Sequence, residues 1–394
     1  MRTSIGGAVR RTPLLLTVVA ALLALGAFAV RPATAPDDTG QTVVLTSADD
    51  QLEASITRMQ GRLRDLPGDW QTWAALGMAY LERARITVDP GFYARAEGAF
   101  AESARLRPGN PEALTGLGAL ANARHDFGAA RTLARTALAA NAWSAEAAGV
   151  LADAETQLGN AAAATDAVQR MLDLRPGLPA YARAAYDLEQ HGRVDEAGDL
   201  WRRALADATG PAEQAYVRQQ LGDLAWNTGD TVTAAREYGL GLAAQPTLIG
   251  LRHGRARVSG SLTEWASLVQ AAPTPTLLIE YAHRLHDAGR PSEAAAQLDL
   301  AEAALKLFAA GGGADDLTAA ELAIARRQPA DAVRLARREW QRRQHADVAD
   351  VLGWALHLAG DDRTALTFAR RATALGNRSA TYATHLTAIE RSLS

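Results

Sequence analysis

From about Ala48 to the C-terminus, apolar residues recur every three or four positions, in segments of roughly a dozen residues divided by short breaks. That spacing puts the apolar side chains of each segment on one stripe of a helix, and no stretch shows the two-residue alternation of a half-buried strand. The pattern predicts an all-α chain. Many breaks carry a glycine pair: Gly159-Asn160, Gly192-Arg193, Gly229-Asp230, Gly289-Arg290 and Gly360-Asp361. Glycine there supplies the left-handed conformation that lets one helix stop and the next begin at once.

A second period lies above the helical one. Trp73-Ala-Ala-Leu76-Gly77-Met-Ala-Tyr80 is followed by Ala96-x-x-x-Phe100 and then Pro108. A small residue at the point where two helices cross lets their backbones approach, and larger apolar residues fill the flanking space. The same arrangement returns at Leu117-Gly118, Leu151-Ala152, Ala184-Ala185, Leu221-Gly222, Tyr281-Ala282 and Leu352-Gly353, with Ala319-Ala320 in a weaker copy. Two departures stand out. About seven extra residues, including Asp89-Pro90-Gly91, separate Tyr80 from Ala96, and the unit around Arg255-Ala256 is short by about seven before Pro273. A bend or slack is expected near 258–273 and at Gly311-Gly312-Gly313. Residues 48–66 read as an entry helix and 379–394 as a closing one, because the ends of a repeat array need caps.

The W-x2-L-G-x2-Y…A-x3-F…P pattern at residues 73–108 resembles the tetratricopeptide repeat, a helix–turn–helix unit of about 34 residues. The resemblance covers nearly all of 48–394 and implies a right-handed superhelical α-solenoid of about nine repeats. As a whole the chain is also similar to bacterial exported and membrane-anchored tetratricopeptide-repeat proteins, on Arg124-His125-Asp126-Phe127, Leu335-Ala-Arg-Arg-Glu339 and Gly353-Trp-Ala-Leu356. That likeness implies an exported context and no particular activity.

The N-terminus fits that context. Arg2, Arg10 and Arg11 precede an uncharged run, Thr12 to Val30, that stops at Arg31. As a helix it spans roughly 28 Å, about one bilayer core. Positive charge on its N-terminal side keeps that end in the cytoplasm and sends the rest outward. Residues 1–30 are thus a signal peptide cleaved near Ala29, after the A-x-A-like Ala27-Phe28-Ala29, or a single-pass anchor through 12–30. Residues 31–47, rich in proline and small polar residues, form a flexible linker to the solenoid. The expected location is extracytoplasmic, either anchored N-in, C-out or secreted.

Composition removes several chemistries. The 394 residues include no cysteine, which excludes disulfides, thiolate metal sites and a lipidated cysteine. A formal charge of −3 gives no sign of a nucleic-acid partner. Lys306 is the one lysine and sits in no phosphate-cradling glycine loop, so nucleotide binding is not expected. There is no G-x-S-x-G and no H-E-x-x-H, and no carboxylate pair stands out. The expectation is a non-enzyme with no catalytic, cofactor or metal site. His283 and His286, one helical turn apart beside Asp287, could share a metal but lack an evident third ligand. The arginines between Arg326 and Arg343 wrap around their helices rather than forming one track.

The remaining candidate is the concave groove, lined in such repeats by the first helix of each unit. Residues one and four places after the small crossing residue face it. They include Asn122, Asp153, Tyr186, Glu189, Asp223, Trp226, His283, His286, Trp354 and His357. Aromatic and acidic groups there suit an extended basic or amphipathic segment of a protein partner. The function expected is a protein–protein interaction scaffold outside the cytoplasm. A receptor for a glycan or lipid headgroup is the second reading, and an enzyme the third.

Overall fold

In the computed structural model the described residues are 48–394, and the apolar run at 12–30 lies outside them. Twenty α-helices follow one another without a strand among these residues. Nine of the pairs are antiparallel units: α2(Trp70–Thr87)/α3(Gly91–Leu106), α4(Pro111–Ala123)/α5(Phe127–Ala140), α6(Ala145–Leu158)/α7(Ala161–Leu174), α8(Leu178–Gln190)/α9(Val194–Asp207), α10(Pro211–Asn227)/α11(Thr231–Ala244), α12(Ile249–Ser259)/α13(Leu262–Ala271), α14(Pro275–Asp287)/α15(Pro291–Ala310), α16(Asp316–Ala325)/α17(Pro329–Arg342) and α18(Ala346–Leu358)/α19(Asp362–Ala372). Helix α1(Ala48–Asp65) precedes them and α20(Ala380–Ser392) closes the array. No helix among the described residues is long and apolar enough to cross a membrane.

Helix starts follow from side chains that accept the orphan N–H groups of a first turn. Asp69, Asn110, Ser144, Asp230, Thr274 and Asp361 each accept from the backbone N–H three residues on. The turns within units need a left-handed residue, and glycine fills six of them, from Gly159 to Gly360, while Val88 takes that conformation in the first unit at φ 54°. Where it is missing, His125 and Arg327 take the strained conformation instead, at φ 62° and 58°.

The crossing residues work as their pattern implies. Phe100 is fully buried, its ring pressed between Gly77 of α2 and Gly116 of α4, and a Cβ on either glycine would overlap it. Tyr238 sits in the same way between Gly222 of α10 and Gly254 of α12. In these two places a large ring from a second helix joins two first helices, and burying it stabilises the stack by roughly 2–3 kcal/mol.

The two places where slack was expected are both packed. Helix α13 is short, at 10 residues, but Trp265 on it is fully buried and stacks on Tyr281 with ring centroids 6.4 Å apart. The neighbouring core runs through Leu268, Leu278 and Leu285 without a break. The glycine run is a hydrogen-bonded turn after an unusually long α15, of 20 residues. It is held against the far end of the chain: Gly311 lies on Pro90, inside the insertion of the first unit, and Arg124 Nε donates to its carbonyl at 3.1 Å. The two irregularities of the sequence meet in space.

Candidate functional site

The first helices α4, α6, α8, α10, α12, α14, α16 and α18 face inward, and the residue after each crossing position forms an inner ladder. Asp153, Tyr186, Asp223, Arg257, His283, Glu321 and Trp354 occupy its successive rungs. Several of these groups are held by partners beside the ladder. Asp153 takes two hydrogen bonds from Arg183, at 2.8 and 2.7 Å. Asp223 accepts from the Tyr238 hydroxyl at 2.7 Å and from Gln219 at 3.3 Å. Arg257 clamps Glu280 with two bonds, at 2.9 and 2.6 Å, and His253 adds a third contact at 3.1 Å. Burial opposes the Glu280 charge, but Arg257 and then His253 outweigh it and hold that carboxyl far below the usual range.

Two carboxyls are pushed the other way. Glu189 is raised to about 7 by burial, with Asp223 and Asp347 adding to the rise and the hydrogen bond from Asn227 Nδ2, 2.9 Å long, opposing it. Glu321, 5% exposed, is raised well above its ordinary value by burial, and the other groups that act on it are the carboxylates Asp315, Asp347, Glu280 and Asp350.

The expected groove residues divide into three groups. Asp153, Tyr186, Glu189 and Asp223 line one contiguous inner patch, with the Tyr186 hydroxyl 3.4 Å from His345 Nε2. Asn122, Trp226 and Trp354 pack into the walls. Asn122 is 2% exposed and donates to the Val150 carbonyl of the next unit at 3.1 Å. Trp226 leans on the core around Tyr238 and Leu251, and Trp354 is 8% exposed, stacked 4.2 Å from the His385 ring. The third group is the histidines. His283 Nε2 is buried without a hydrogen-bond partner, and burial lowers its pKa. His286 is exposed and meets Arg327 Nη2 at 3.1 Å, and His357 pairs with Asp362 at 2.5 Å. Among the described residues no three potential ligands are grouped to hold a metal.

Reading the sequence passed over Glu321, although Ala319-Ala320 marks its rung. It also passed over Arg183, which lies off the two counted places, and Arg257, which occupies one of them in the short unit, while Arg343 was read only as part of the arginine-rich stretch. The arginine-rich stretch is largely paired: Arg326 with Asp299 and Glu302, Arg334 with Asp331, Arg338 with Asp316, Arg342 and Arg343 with Glu339.

The inner face is also partly filled by the chain itself. Three successive turns, after α4, α6 and α8, receive three connections 186–187 residues further on. Ala314 N–H donates to the Arg124 carbonyl at 3.1 Å and Gln344 N–H to the Leu158 carbonyl at 3.3 Å. Asn377 Nδ2 donates to Gln190 Oε1 at 3.1 Å. Phe308 packs 5.2 Å from the His125 ring, and Arg343 lies over Phe127 while bonding Gln157. The second turn of the superhelix is clasped onto the first.

The paired helices, their inward first members and the ring-between-glycines packing decide the class. The fold is a tetratricopeptide-type solenoid. No family model matches the chain, and no curated protein does. Solved structures do. A thermophilic tetratricopeptide-repeat protein of Thermus thermophilus is 21% identical over 48% of this chain and 98% of its own, with a TM-score of 0.42. Human IFIT1, solved as a dimer with m7Gppp-AAAA, is 16% identical over 82% of this chain and 77% of its own, with a TM-score of 0.50. A tetratricopeptide-repeat protein from Parabacteroides merdae is 14% identical over 80% and 98%, with a TM-score of 0.34. The likeness to IFIT1 is one of fold.

Proposed function

We propose that this solenoid is a non-enzymatic scaffold that binds a protein partner on the extracytoplasmic side of a bacterial membrane, held there by residues 12–30 or released after cleavage near Ala29. The observation that carries the binding half is the contiguous inner patch of Asp153, Tyr186, Glu189 and Asp223. Its mixture of one aromatic anchor and several carboxylates suits a basic, extended protein segment. Human IFIT1 is solved with m7Gppp-AAAA, but on this inner face Arg183 and Arg257 are each paired with a carboxylate, which leaves them less able to grip a polyanion. A glycan or lipid-headgroup receptor is less well supported, because the arginines that would grip an anionic group are largely paired with carboxylates. The location rests on the arginine-flanked apolar run alone.

Two experiments test the two halves. Crosslinking in intact cells followed by mass spectrometry should recover one or a few proteins joined to residues near Tyr186. Recovery of no protein above background would sink the scaffold reading. Protease added to spheroplasts should digest the chain beyond Arg31, and full protection would overturn the location.

A further inference from the structure

The inner face of α4–α9 already holds an occupant, and the way it sits shows what the surface prefers. The Leu158 carbonyl that accepts the Gln344 N–H belongs to the last turn of α6, and the Arg124 carbonyl that accepts Ala314 N–H follows the last turn of α4. Carbonyls at helix C-terminal ends lack intrahelical donors and carry the negative end of the helix dipole. They therefore select an extended backbone offering N–H groups, and a cation beside it. Arg343 supplies that cation: its guanidinium stacks over Phe127, 5.3 Å from the ring centroid, and reaches Gln157.

The occupant fits incompletely. Beneath Arg343 is a pocket bounded by Phe127, Asp153, Thr156, Val168, Arg183 and Tyr186, with about 30 Å³ open to water centres, room for about two waters. Asn122 Oδ1 is buried on its wall without a partner. Its orientation is fixed, because turning the amide would set Oδ1 against the Val150 carbonyl that Nδ2 now serves. A buried acceptor left open in this way is unfavourable, and a donor reaching deeper would satisfy it.

We infer that the inner face of α4–α9 binds an extended, arginine-bearing segment of a partner protein, and that the chain's own 343–345 connection between α17 and α18 is a stand-in occupying that surface until the partner displaces it. This deepens the scaffold reading and rests on it. Binding then requires the clasp to open, so the measured affinity is the intrinsic one reduced by the fraction of open chains.

A matched pair of glycine substitutions isolates the clasp. Gly159 and Gly229 occupy the same turn in their units, with φ 80° and 86°. A Cβ on Gly159 would run into the Gln344 carbonyl, whereas a Cβ on Gly229 meets nothing within 4 Å. Alanine at either place carries the same backbone strain, and only Gly159→Ala pushes on the segment. The probe is a labelled peptide of the chain's own sequence 341–346, Gln-Arg-Arg-Gln-His-Ala, compared with the same peptide carrying Arg343→Glu. In full-length protein, Gly159→Ala should speed hydrogen exchange at the Gln344 amide more than Gly229→Ala does, and Arg343→Ala, which empties the surface without altering it, should bind the peptide about tenfold more tightly than the unchanged chain. The charge-reversed peptide should lose that gain. Because the chain has no cysteine, an Asn160→Cys/Gln344→Cys variant joined by a short bis-maleimide locks the clasp cleanly and should bind no peptide. Equal affinity in Arg343→Ala and the unchanged chain, equal binding of the two peptides by Arg343→Ala, or undiminished binding by the locked chain each overturns the inference. So does unchanged exchange at Gln344 in Gly159→Ala. These outcomes are read on the isolated protein, so they fail separately from the search for a partner in cells.

Discussion

Two junctions in this molecule are built on opposite terms. Between neighbouring units, Phe100 is enclosed by Gly77 and Gly116, and the contact is apolar, local and repeated along the chain. Between superhelical turns, the clasp consists of main-chain hydrogen bonds, Arg343 over Phe127, and Phe308 against His125, among residues far apart in the chain. The first kind removes large rings from water and is worth several kcal/mol per unit. The second exchanges hydrogen bonds with water for hydrogen bonds with protein, so its net gain per bond is about 1 kcal/mol. Unit stacking should therefore set the stability of the array, while the clasp is poised to open without unfolding it.

The largest effect should come from the first junction. Phe100→Ala is expected to cost about 3–5 kcal/mol, since it empties a cavity against two helices that cannot collapse further. Thermal or urea unfolding of the full chain measures it, and a loss below about 1 kcal/mol would mean that the rings do not join the units. Next in size, Trp226→Ala should cost about 1–3 kcal/mol through its packing on the Tyr238 core, in proportion to its partial burial. A variant with unchanged stability but weakened partner recovery would instead make Trp226 a groove anchor.

That difference also explains what could be read from the sequence. The stacking junction repeats with the chain, so Leu76-Gly77, Ala96-x-x-x-Phe100 and their copies announce nine units, the short α13 and the capping helices. Clasp contacts depend on the rotation accumulated over five units, which no local pattern records. Gly311-Gly312-Gly313 thus looked like slack although it forms a docked turn. The inward rule found Asp153, Tyr186, Glu189 and Asp223, whereas Asn122 and Trp354 obey the same spacing yet are covered by the next unit and by α20. Burial by a neighbour is decided by the stagger between units, and residue type does not reveal it.

A smaller effect should separate the clasp's contacts from one another. Asn377→Ala removes the bond to Gln190 and should leave the melting temperature within about 2 °C, while raising exchange at residues 376–379. Unchanged exchange there would show that the third contact contributes nothing to closure.

The smallest expected effect is a dependence of the clasp on pH, and its sign follows from Glu189. This carboxyl is raised from its ordinary 4.5 to about 7, chiefly by burial. The groups facing it are Tyr186 on its own helix, Asp223 and Asn227 on α10, and Asp347 on α18, which is itself paired with His345 at 3.1 Å and with Tyr382. A raised carboxyl keeps its proton in the closed form while the open form gives it up. Its contribution to closure is therefore complete below about pH 4.5 and is lost as pH rises toward about 7. Glu321, raised in the same direction, acts with the same sign. Asp347 is lowered: burial opposes its charge, but the His345 pair and the hydrogen bonds outweigh it. Its contribution is present above 3.8 and is lost in more acidic solution, outside the Glu189 window. Exchange at the Gln344 amide, corrected for its intrinsic pH dependence, should consequently quicken a few-fold between pH 5 and about 7. Glu189→Gln should flatten the Glu189 part of that rise, because the amide stays neutral throughout and can still accept from Asn227. A corrected profile that is flat in the unchanged chain, or one that Glu189→Gln leaves equally steep, would remove Glu189 from the clasp and leave the closure to its hydrogen bonds alone.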